Sequence, residues 1–306
     1  GLTVDAEIPE SVSVLSFMYA GKPRILMGCI PDFTPAVTVP ICRSKLMTRW
    51  AVSRCSDVRM PDTVSYDTAE AAHAFLERVG TVVVKPQDGA HGNGVTVGVR
   101  TPEVLDRTVV AAREASSSGT VLLQQMVKGN DVRILVLDGR IIAAAYRLPP
   151  VVVGDGTHTI RELIVRENEN NPERGSRPYD KRLNAIDIAA AERYLGDRID
   201  TVLAKDDRCA VVGTANIGTG GEAHECLSEL PEAMKQDALH AAAAARAFIC
   251  GVDFIYDPQS GDYYLIEMNS SPSFGLHAVP SRGTPVDVAA QYVDALLTHY
   301  DKESRV

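Results

Sequence analysis

The chain has 306 residues, of which 45% are hydrophobic and 23% are charged, and its formal net charge is −9. These values are ordinary for a globular protein of one or two domains, and the acidic balance disfavours nucleic acids and anionic membranes as partners. No uncharged apolar run is long enough to span a membrane, and we expect no signal peptide because the N-terminus lacks a basic start with an apolar run. Six cysteines without C-x-x-C spacing predict reduced thiols in a cytoplasmic protein.

The first 80 residues predict short strands followed by helices. Two strands are expected within residues 13–30, on either side of a tight turn. The run Cys42–Val52 is predicted to form one helix. A second helix is predicted to begin at a capping box of Asp67 and Glu70 and to end at Gly80.

The middle of the chain predicts strands and one helix around a glycine-rich stretch. Thr101 followed by proline is typical of a helix start, and Asp138 followed by glycine between two apolar runs is typical of a hairpin. In chain order, the predicted elements are the strands Val82–Val84 and Val95–Val99, a helix from Thr101 to Ser117, the strand Val121–Gln125, and the hairpin strands Val132–Leu137 and Ile141–Tyr146.

The last 150 residues alternate helices with one further hairpin. The predicted elements are helices at Thr159–Glu167, Pro231–Cys250 and Val286–His299, and strands at Val252–Tyr256 and Tyr263–Asn269. The whole pattern therefore predicts a mixed α/β (α+β) protein, in which helices are interleaved with antiparallel hairpins.

The predicted hairpin near the C-terminus carries a candidate metal site. Glu267 and Asn269 are two residues apart on a strand and are expected to share a face, with Ile266 and Met268 on the opposite side. Asp253 lies on the preceding strand and can be brought beside them. Carboxylate and amide oxygens are hard ligands that suit Mg²⁺. An ordinary solvated strand face is the alternative, and the nearby aspartate favours the metal site.

The glycine-rich stretch is a candidate phosphate site. Gly89, Gly92 and Gly94 follow Lys85, and such glycines let backbone N–H groups wrap an anion closely. Lys85 adds a positive charge, and His91 adds a tunable donor. The stretch is neither a P-loop nor a dinucleotide fingerprint, because its spacing fits neither motif. A flexible hairpin loop is an equally good interpretation.

The segment that begins with the predicted strand Val121–Gln125 is a candidate adenine site. Met126 and Val127 are suited to form apolar walls around a purine, and Asp131 to bind ribose hydroxyls. Core packing and an ordinary turn aspartate are the alternatives. Arg133 stands in an otherwise apolar strand, where an unpaired charge is costly. Its partner is expected to be either a phosphate or an internal carboxylate.

Taken together, these segments resemble the ATP-grasp superfamily. The likeness is strongest to the ATP-grasp region of cyanophycin synthetase and to related glutathione-synthesising ligases. It rests on VVVKPQDGAHGNGV, GNDVRILVLDGRIIAAAYRLPPVVVGDGTHTIRELI, TANIGTGGEAHE, and VDFI followed by YLIEMNSSPSFGLHAVPSRGTPVDVA, and it extends over roughly residues 40–300. Several segments in the right order are more specific than any single motif.

The resemblance implies an ATP-grasp fold, in which two α+β lobes clasp ATP between antiparallel sheets. The implied domains are a short N-terminal strand segment (1–40), a helical linker with the first ATP lysine (41–80), a small lobe with a glycine-rich lid (81–130), and a large lobe with the metal site (131–306).

It also implies a carboxylate–amine ligase that uses ATP and two Mg²⁺ ions, with Mn²⁺ as a substitute. The implied ATP-binding residues are Lys45, Lys85, Gly89, Gly92, Gly94, Gln124, Gln125, Met126, Val127 and Asp131. The implied metal ligands are Asp253, Glu267 and Asn269. The implied catalytic residues are Lys85, His91 and Arg133, and the implied substrate-binding residues are Arg147, Lys181, Arg182, Asn216, Gly220 and Gly221.

One departure from the family concerns the positive charge at the reaction centre. D-alanine ligases have an arginine two positions before the metal aspartate, where this chain has Gly251. The charge would then come from Arg133, Arg147, Lys181 or Arg182. Gln124 and Gln125 also stand where charged residues are common.

The substrates are open at the level of sequence. Small amino-acid or peptide substrates in specialised metabolism are expected, with a homodimer and a carrier-protein or peptide acceptor as further possibilities, and with neither a nucleic acid nor a membrane as partner. A kinase, a ligase for a carrier protein and a non-catalytic nucleotide-binding protein are the alternative functions.

Overall fold

The structure is a computed structural model that describes residues 3–5, 14–88, 93–175 and 183–304. An N-terminal antiparallel sheet comes first, and Phe17 and Leu26 on one of its faces pack into a core shared with the C-terminal helix. The hairpin predicted within residues 13–30 is confirmed. The strands are β1 (Thr3–Asp5), β2 (Val14–Tyr19), β3 (Lys22–Met27) and β4 (Ile30–Pro31).

Two short helices follow, α1 (Thr38–Arg43) and α2 (Lys45–Ser53). The prediction of one helix over Cys42–Val52 is wrong, because Ser44 is extended (ψ 115°) and its hydroxyl accepts a hydrogen bond from the Met47 amide. Serine side chains that bond nearby backbone groups favour such caps over helix interiors. The break places Lys45 in the first turn of α2.

The small lobe is a four-stranded antiparallel sheet in the order β5-β8-β6-β7, with two helices packed on one face. The predicted strands and the helix start at Thr101 are confirmed, and this helix ends at Glu114 instead of Ser117. The elements are β5 (Thr63–Ser65), α3 (Ala69–Val79), β6 (Val82–Pro86), β7 (Thr96–Val99), α4 (Pro102–Glu114) and β8 (Val121–Gln125).

The cap of α3 corrects one sequence prediction. Thr68, and not Asp67, is the N-cap residue, because its hydroxyl accepts a hydrogen bond of 3.3 Å from the Ala71 amide. A capping side chain bonds an amide two or three residues further along the chain, and Asp67 lies one residue too early. The predicted end at Gly80 is confirmed by its positive φ of 76°.

A β-hairpin, an inserted subdomain and a further strand open the large lobe. The insertion lies between β10 and β15 and has its own apolar core. Its helix α5 begins at a capping box of Thr159 and Glu162, close to the predicted start. The elements are β9 (Asn130–Leu137), β10 (Arg140–Leu148), β11 (Val151–Val153), α5 (Ile160–Asn170), β12 (Arg174–Gly175), β13 (Leu183–Asn184), α6 (Ile188–Leu195), β14 (Arg208–Ala210) and β15 (Glu222–Glu225).

The remaining elements are α7 (Glu232–Ala244), β16 (Ile249–Tyr256), β17 (Tyr263–Asn269), α8 (Gly275–Ala278) and α9 (Val288–Ser304). The predicted helix Pro231–Cys250 is too long, because the chain reverses at Arg246, where φ is +55°, and Cys250 already lies in β16. Alanines have the highest helix propensity, so an alanine-rich run does not mark its own end.

The large sheet has the order β15-β10-β9-β16-β17 and is antiparallel throughout. Along β9, Ile134 and Val136 face α7, while Leu135 and Leu137 face α9. A strand that is buried on both faces needs apolar residues at successive positions, as this strand has. In the part of the chain that the structure describes, no helix is long and apolar enough to cross a membrane.

Candidate active site

A cleft lies where α2, the small sheet and the edge strand β17 of the large sheet meet. Its lining is polar on the side of α2 and β8 and apolar on the side of β17. The lining residues are Lys45, Thr48, Arg49, Met60, Thr63, Gln124, Leu265 and Ile266. Of these, Thr48, Arg49, Met60, Thr63 and Leu265 were not expected from the sequence, because each is individually unremarkable.

Lys85 is buried beneath this cleft and is held in a fixed orientation. Its Nζ donates a hydrogen bond of 2.7 Å to Gln124 Oε1, and Gln124 Nε2 donates one of 3.1 Å to Thr63 Oγ1. Burial lowers the pKa of Lys85 to about 8, Glu267 opposes this shift and Lys45 adds to it. A cation with so little solvent around it is suited to bind an anion.

A second lysine reaches the same place from α2. Lys45 Nζ lies 3.3 Å from Glu267 Oε2 on β17, and both Lys45 and Glu267 influence the pKa of Lys85. The structure therefore brings together two lysines from α2 and β6 and one glutamate from the opposite lobe. Residues that are 222 positions apart in the chain, Lys45 and Glu267, meet across the cleft.

A β-bulge sets which side chains of β17 face the cleft. Asp253 pairs with Glu267 and Phe254 pairs with Leu265, so Ile266 is the extra residue of the bulge. Ile266 consequently lines the cleft, whereas Met268 is buried in the core as predicted. The prediction that Ile266 shares the face of Met268 is wrong, because simple strand alternation does not hold across a bulge.

Two arginines and two aspartates form a buried network on the large sheet. Arg133 donates through Nε and Nη2 to the two carboxylate oxygens of Asp253, and the Nη2 bond is 2.7 Å long. Arg147 Nη2 donates to Asp253 at 2.8 Å, and Arg147 also holds Asp131 through two bonds of 2.7 and 2.9 Å. The partner of Arg133 is thus an internal carboxylate, one of the two alternatives that the sequence left open.

The strand register creates this network. Arg133 lies opposite Asp253 on the neighbouring β16, and Asp131 lies opposite Arg147 on the neighbouring β10. Burial would raise the pKa of Asp253, but Arg133 and Arg147 hold it below its ordinary value. The Asp253 carboxylate therefore stays ionised. Burial raises the pKa of Asp131 to about 6, so the two carboxylates balance the two guanidinium groups at pH 7 and above.

The connection between β8 and β9 joins the two lobes. Gln125 donates its amide to Asp62 O and Met126 donates its amide to Thr81 O, at 2.8 and 2.9 Å. The Met126 side chain is exposed and the Val127 side chain is half-buried. The structure thus places the predicted adenine-binding residues at the junction of the lobes, and their role stays a prediction.

Known domains match two long segments of this chain. Residues 46–157 match the ATP-grasp domain of prokaryotic glutathione synthetase, and residues 199–296 match the RimK-like ATP-grasp domain. The chain belongs to the ATP-grasp superfamily. The fold predicted from the resemblance, with two α+β lobes built on antiparallel sheets, is confirmed.

Two curated ATP-grasp relatives cover most of the chain. Cyanophycin synthetase of Geminocystis herdmanii is 34% identical over 288 residues, which is 91% of this chain and 33% of that protein. The bifunctional glutathione biosynthesis protein of Clostridium perfringens is 28% identical over 274 residues, 85% of this chain and 34% of that protein. The chain spans about a third of the length of these relatives.

A solved structure shows the same fold. The bifunctional glutathione synthetase of Pasteurella multocida superposes with a TM-score of 0.64, at 24% identity, over 98% of this chain and 42% of that protein. At this identity, the likeness concerns the fold alone.

The predicted metal trio of this ATP-grasp chain divides into two parts. Glu267 is half-exposed in the cleft, and Asn269 Oδ1 accepts one hydrogen bond, from the Ser271 amide. Both oxygens of Asp253 already accept hydrogen bonds from arginines. Among the described residues, no group of three or more His, Cys, Asp or Glu side chains is arranged to hold a metal ion. Glu267 and Asn269 therefore fit a hard cation such as Mg²⁺, and Asp253 does not fit it in this arrangement.

The glycine-rich stretch of the ATP-grasp fold is anchored where it leaves β6. Asp88 accepts hydrogen bonds from Ser116 Oγ (2.6 Å) and the Ser118 amide (3.0 Å), and hydrogen bonds, chiefly that of Ser116, lower the pKa of Asp88 to about 2. Gly94 has a φ of +69°, and a Cβ there would lie 2.5 Å from Ala115 Cβ. Gly94 thus has a packing role beside any role with ATP. Gly89, His91 and Gly92 lie outside the described residues.

The predicted substrate residues fall into three groups. Arg147 belongs to the buried network, and Lys181 and Arg182 lie outside the described residues. Asn216 caps a tight turn through a 2.9 Å bond from the Gly218 amide to its Oδ1. The two glycines after this turn are needed for close packing, because a Cβ on Gly220 or Gly221 would lie 2.7–2.8 Å from backbone atoms. A role in substrate binding stays a prediction for all of them.

Proposed function

We propose that this chain is an ATP-dependent carboxylate–amine ligase. It would transfer the γ-phosphate of ATP to a carboxylate, and the acyl phosphate would then react with an amine to give an amide, ADP and phosphate. The observation that carries the proposal is the meeting of Lys45, Lys85 and Glu267 across the cleft of an ATP-grasp fold. The relatives named for the synthesis of cyanophycin and for glutathione biosynthesis support the same class of reaction.

In the first step, the two lysines bind the phosphates of ATP. Lys85 is buried, so its charge interacts strongly with an anion that displaces the remaining water. Gln124 fixes the direction of the Lys85 ammonium group, so little reorganisation is needed during phosphoryl transfer. Mg²⁺ is the proposed cofactor, held by Glu267 and Asn269, and it supplies positive charge against the phosphate oxygens. His91 is proposed to add a donor at the same phosphates.

In the second step, the amine attacks the acyl phosphate and the developing oxyanion needs positive charge. We propose Arg133 and Arg147 as the source of this charge. The register of the large sheet holds both in place, and each would exchange its bond with Asp253 for one with the oxyanion. Fixed charges of this kind stabilise a transition state more than mobile solvent does. The amine loses its proton, phosphate leaves and the amide remains.

Two substitutions test the proposal. Glu267→Gln and Lys85→Ala are each expected to lower the rate of ADP release by about 10²–10³, the typical loss when one electrostatic group is removed. ADP release is measured over a panel of amino acids and short peptides, with mass spectrometry of the product. Glu77→Gln, at an exposed position on α3, is the matched control and should leave the rate unchanged.

The products decide between reaction classes. An amide supports the ligase, whereas a stable phosphorylated product would identify a kinase. Near-normal ADP release by Lys85→Ala would contradict the proposed site. We infer that the substrates are amino acids or short peptides, with a peptide or carrier protein as the acceptor; relatives named for the synthesis of cyanophycin and for glutathione biosynthesis support this inference. A homodimer and a place in specialised metabolism are part of the same proposal.

A further inference from the structure

Positive charge is concentrated in one segment of this acidic chain. Residues 43–59 contain five basic side chains and one acidic side chain, whereas the whole chain has a net charge of −9. Three of the basic residues have partners within the fold: Lys45 pairs with Glu267, Arg49 donates to Pro61 O, and Arg59 pairs with Asp262. Within the described residues, neither Arg43 nor Arg54 forms an ion pair with a carboxylate.

Two exposed apolar side chains lie between these two arginines in the sequence. Met47 and Trp50 are 40% and 59% exposed, and the Arg54 guanidinium lies 5.2 Å from the centre of the Trp50 ring. Met47, Trp50 and Arg54 follow helical spacing and so share one side of α2, while Thr48, Ala51 and Val52 are buried on the other. We call Met47, Trp50 and Arg54, together with Arg43 at the C-terminal end of the preceding helix α1, the outer face of α2.

We propose that the outer face of α2 is a docking surface for an acidic peptide segment that carries an apolar side chain. Carboxylates pair with guanidinium groups through two parallel hydrogen bonds, which suits Arg43 and Arg54. Tryptophan and arginine are the residues that most often dominate the energy of protein interfaces, and here they are in contact before any partner binds. The exposed apolar side chains of Met47 and Trp50 favour a peptide over a purely ionic ligand.

The outer face of α2 lies on the side of this helix opposite the cleft. Lys45, Thr48 and Arg49 line the cleft from the inner side of the same helix. A peptide on the outer face would lie about one helix diameter, roughly 10 Å, from the cleft. Such a site would hold a peptide-borne substrate near the ATP-binding residues. The proposal goes beyond the ligase reaction, because binding at this face requires neither ATP nor turnover.

Trp50 is the only tryptophan of the chain, so its fluorescence reports on this face alone. The test is a titration of the full chain, without ATP, with a synthetic glutamate-rich peptide that contains leucine. We expect a saturable blue shift of the emission, because the docked peptide removes water from the ring. The Kd should weaken as salt is raised, since the interacting charges are at the surface.

Charge reversal at the face gives the decisive comparison. Arg43→Glu combined with Arg54→Glu keeps the fluorophore and should weaken binding of the peptide by about tenfold or more. Arg107→Glu, at an exposed position on α4, is the matched control and should bind like the unmodified chain. Circular dichroism checks that both variants are folded.

Three results would overturn the proposal. These are an unchanged Trp50 emission, an equal response to a peptide with lysine in place of glutamate, and equal affinity of the charge-reversed variant. An equal response to a single-stranded oligonucleotide would identify a nucleic-acid site instead. Glu267→Gln should bind the peptide normally, so a failure of the ligase proposal and a failure of the docking proposal give different results.

Discussion

Arg133 and Gly251 occupy adjoining space on neighbouring strands of the large sheet. A Cβ on Gly251 would lie 2.8 Å from Cδ and 3.0 Å from Nε of Arg133, which is closer than real Cβ atoms approach other side chains. The missing side chain at position 251 therefore lets Arg133 extend across β16 and reach Asp253. The guanidinium group beside Gly251 therefore comes from the neighbouring strand β9.

The first prediction is that Gly251→Ala destabilises the fold by about 1–3 kcal/mol, the usual cost of forcing a methyl group into a packed site. The new methyl group would displace Arg133 from Asp253. In the background of Arg133→Ala, the same substitution should cost little, because the space is then empty. The measurement is a double-mutant cycle of urea unfolding free energies. Additive effects would show that the two side chains do not compete.

The second prediction concerns the pH dependence of ATP binding. The pKa of Lys85 is lowered to about 8 by burial, so the ammonium group is present below that pH and is lost above it. ATP affinity should be constant below pH 8 and should then fall by up to about tenfold per pH unit, since phosphate binds the charged form. Isothermal titration calorimetry from pH 7 to pH 10 measures this dependence.

A control variant separates Lys85 from other groups. Lys85→Met should bind ATP weakly at every pH, and its ATP affinity should not begin to fall near pH 8. If the ATP affinity of this variant still fell above pH 8, the titration of another group would be the cause.

The third prediction concerns His277, which is 2% exposed in α8. Neither ring nitrogen has a hydrogen-bond partner among the described residues. Burial, assisted by Arg133 and Arg147, lowers the pKa of His277 to about 3, whereas the unfolded chain has the ordinary value of 6.5. Between pH 6.5 and pH 3, the unfolded state binds the proton and the folded state does not. The free energy of unfolding should therefore fall in this range by up to about 1.4 kcal/mol per pH unit.

Unfolding free energies at pH 7 and pH 5 test the contribution of this histidine. His277→Leu should reduce the loss of stability between the two pH values, and it should not destabilise the protein greatly at pH 7 because no hydrogen bond is removed. His240→Leu, at an exposed position on α7, should keep the dependence of the unmodified chain. Equal slopes for His277→Leu and the unmodified chain would contradict the assignment.

The fourth prediction concerns thiol reactivity. All six cysteines are free, and Cys55 is exposed while the other five are buried. Burial raises the pKa of Cys226 to about 12, and a hydrogen bond with Cys42 together with burial raises the pKa of Cys250 well above 9. Because the thiolate is the reactive form, a disulfide reagent such as Ellman's should modify one thiol in the folded protein.

Cys55→Ser supplies the control for this count. It should abolish the reaction of the folded protein, while unfolding in guanidinium should expose the five remaining thiols. Rapid modification of folded Cys55→Ser would show that a buried thiol is accessible.

Local sequence signals predicted elements that depend on near neighbours. The hairpin at Asp138 forms as expected, because Asp138 and Gly139 both adopt the positive φ that a tight turn requires. The start of α4 at Thr101 was equally predictable, since a cap and its amide are only three residues apart. The break between α1 and α2 at Ser44 could not be predicted, because a serine inside an amphipathic run is compatible with both a helix cap and a helix interior.

The candidate site also has features that local sequence signals predict and features that they do not. The superfamily, the order of the strands along the chain and the choice of Lys45, Lys85 and Glu267 as candidate site residues could be predicted from the sequence, because motifs and apolar periodicity are local properties. Two relationships became visible only in the folded chain: Ile266 faces the cleft, and Arg133 is paired with Asp253. These relationships depend on a bulge and on the register between strands that are more than 100 residues apart. Such pairings are set by the packing of the whole sheet, and no short segment encodes them.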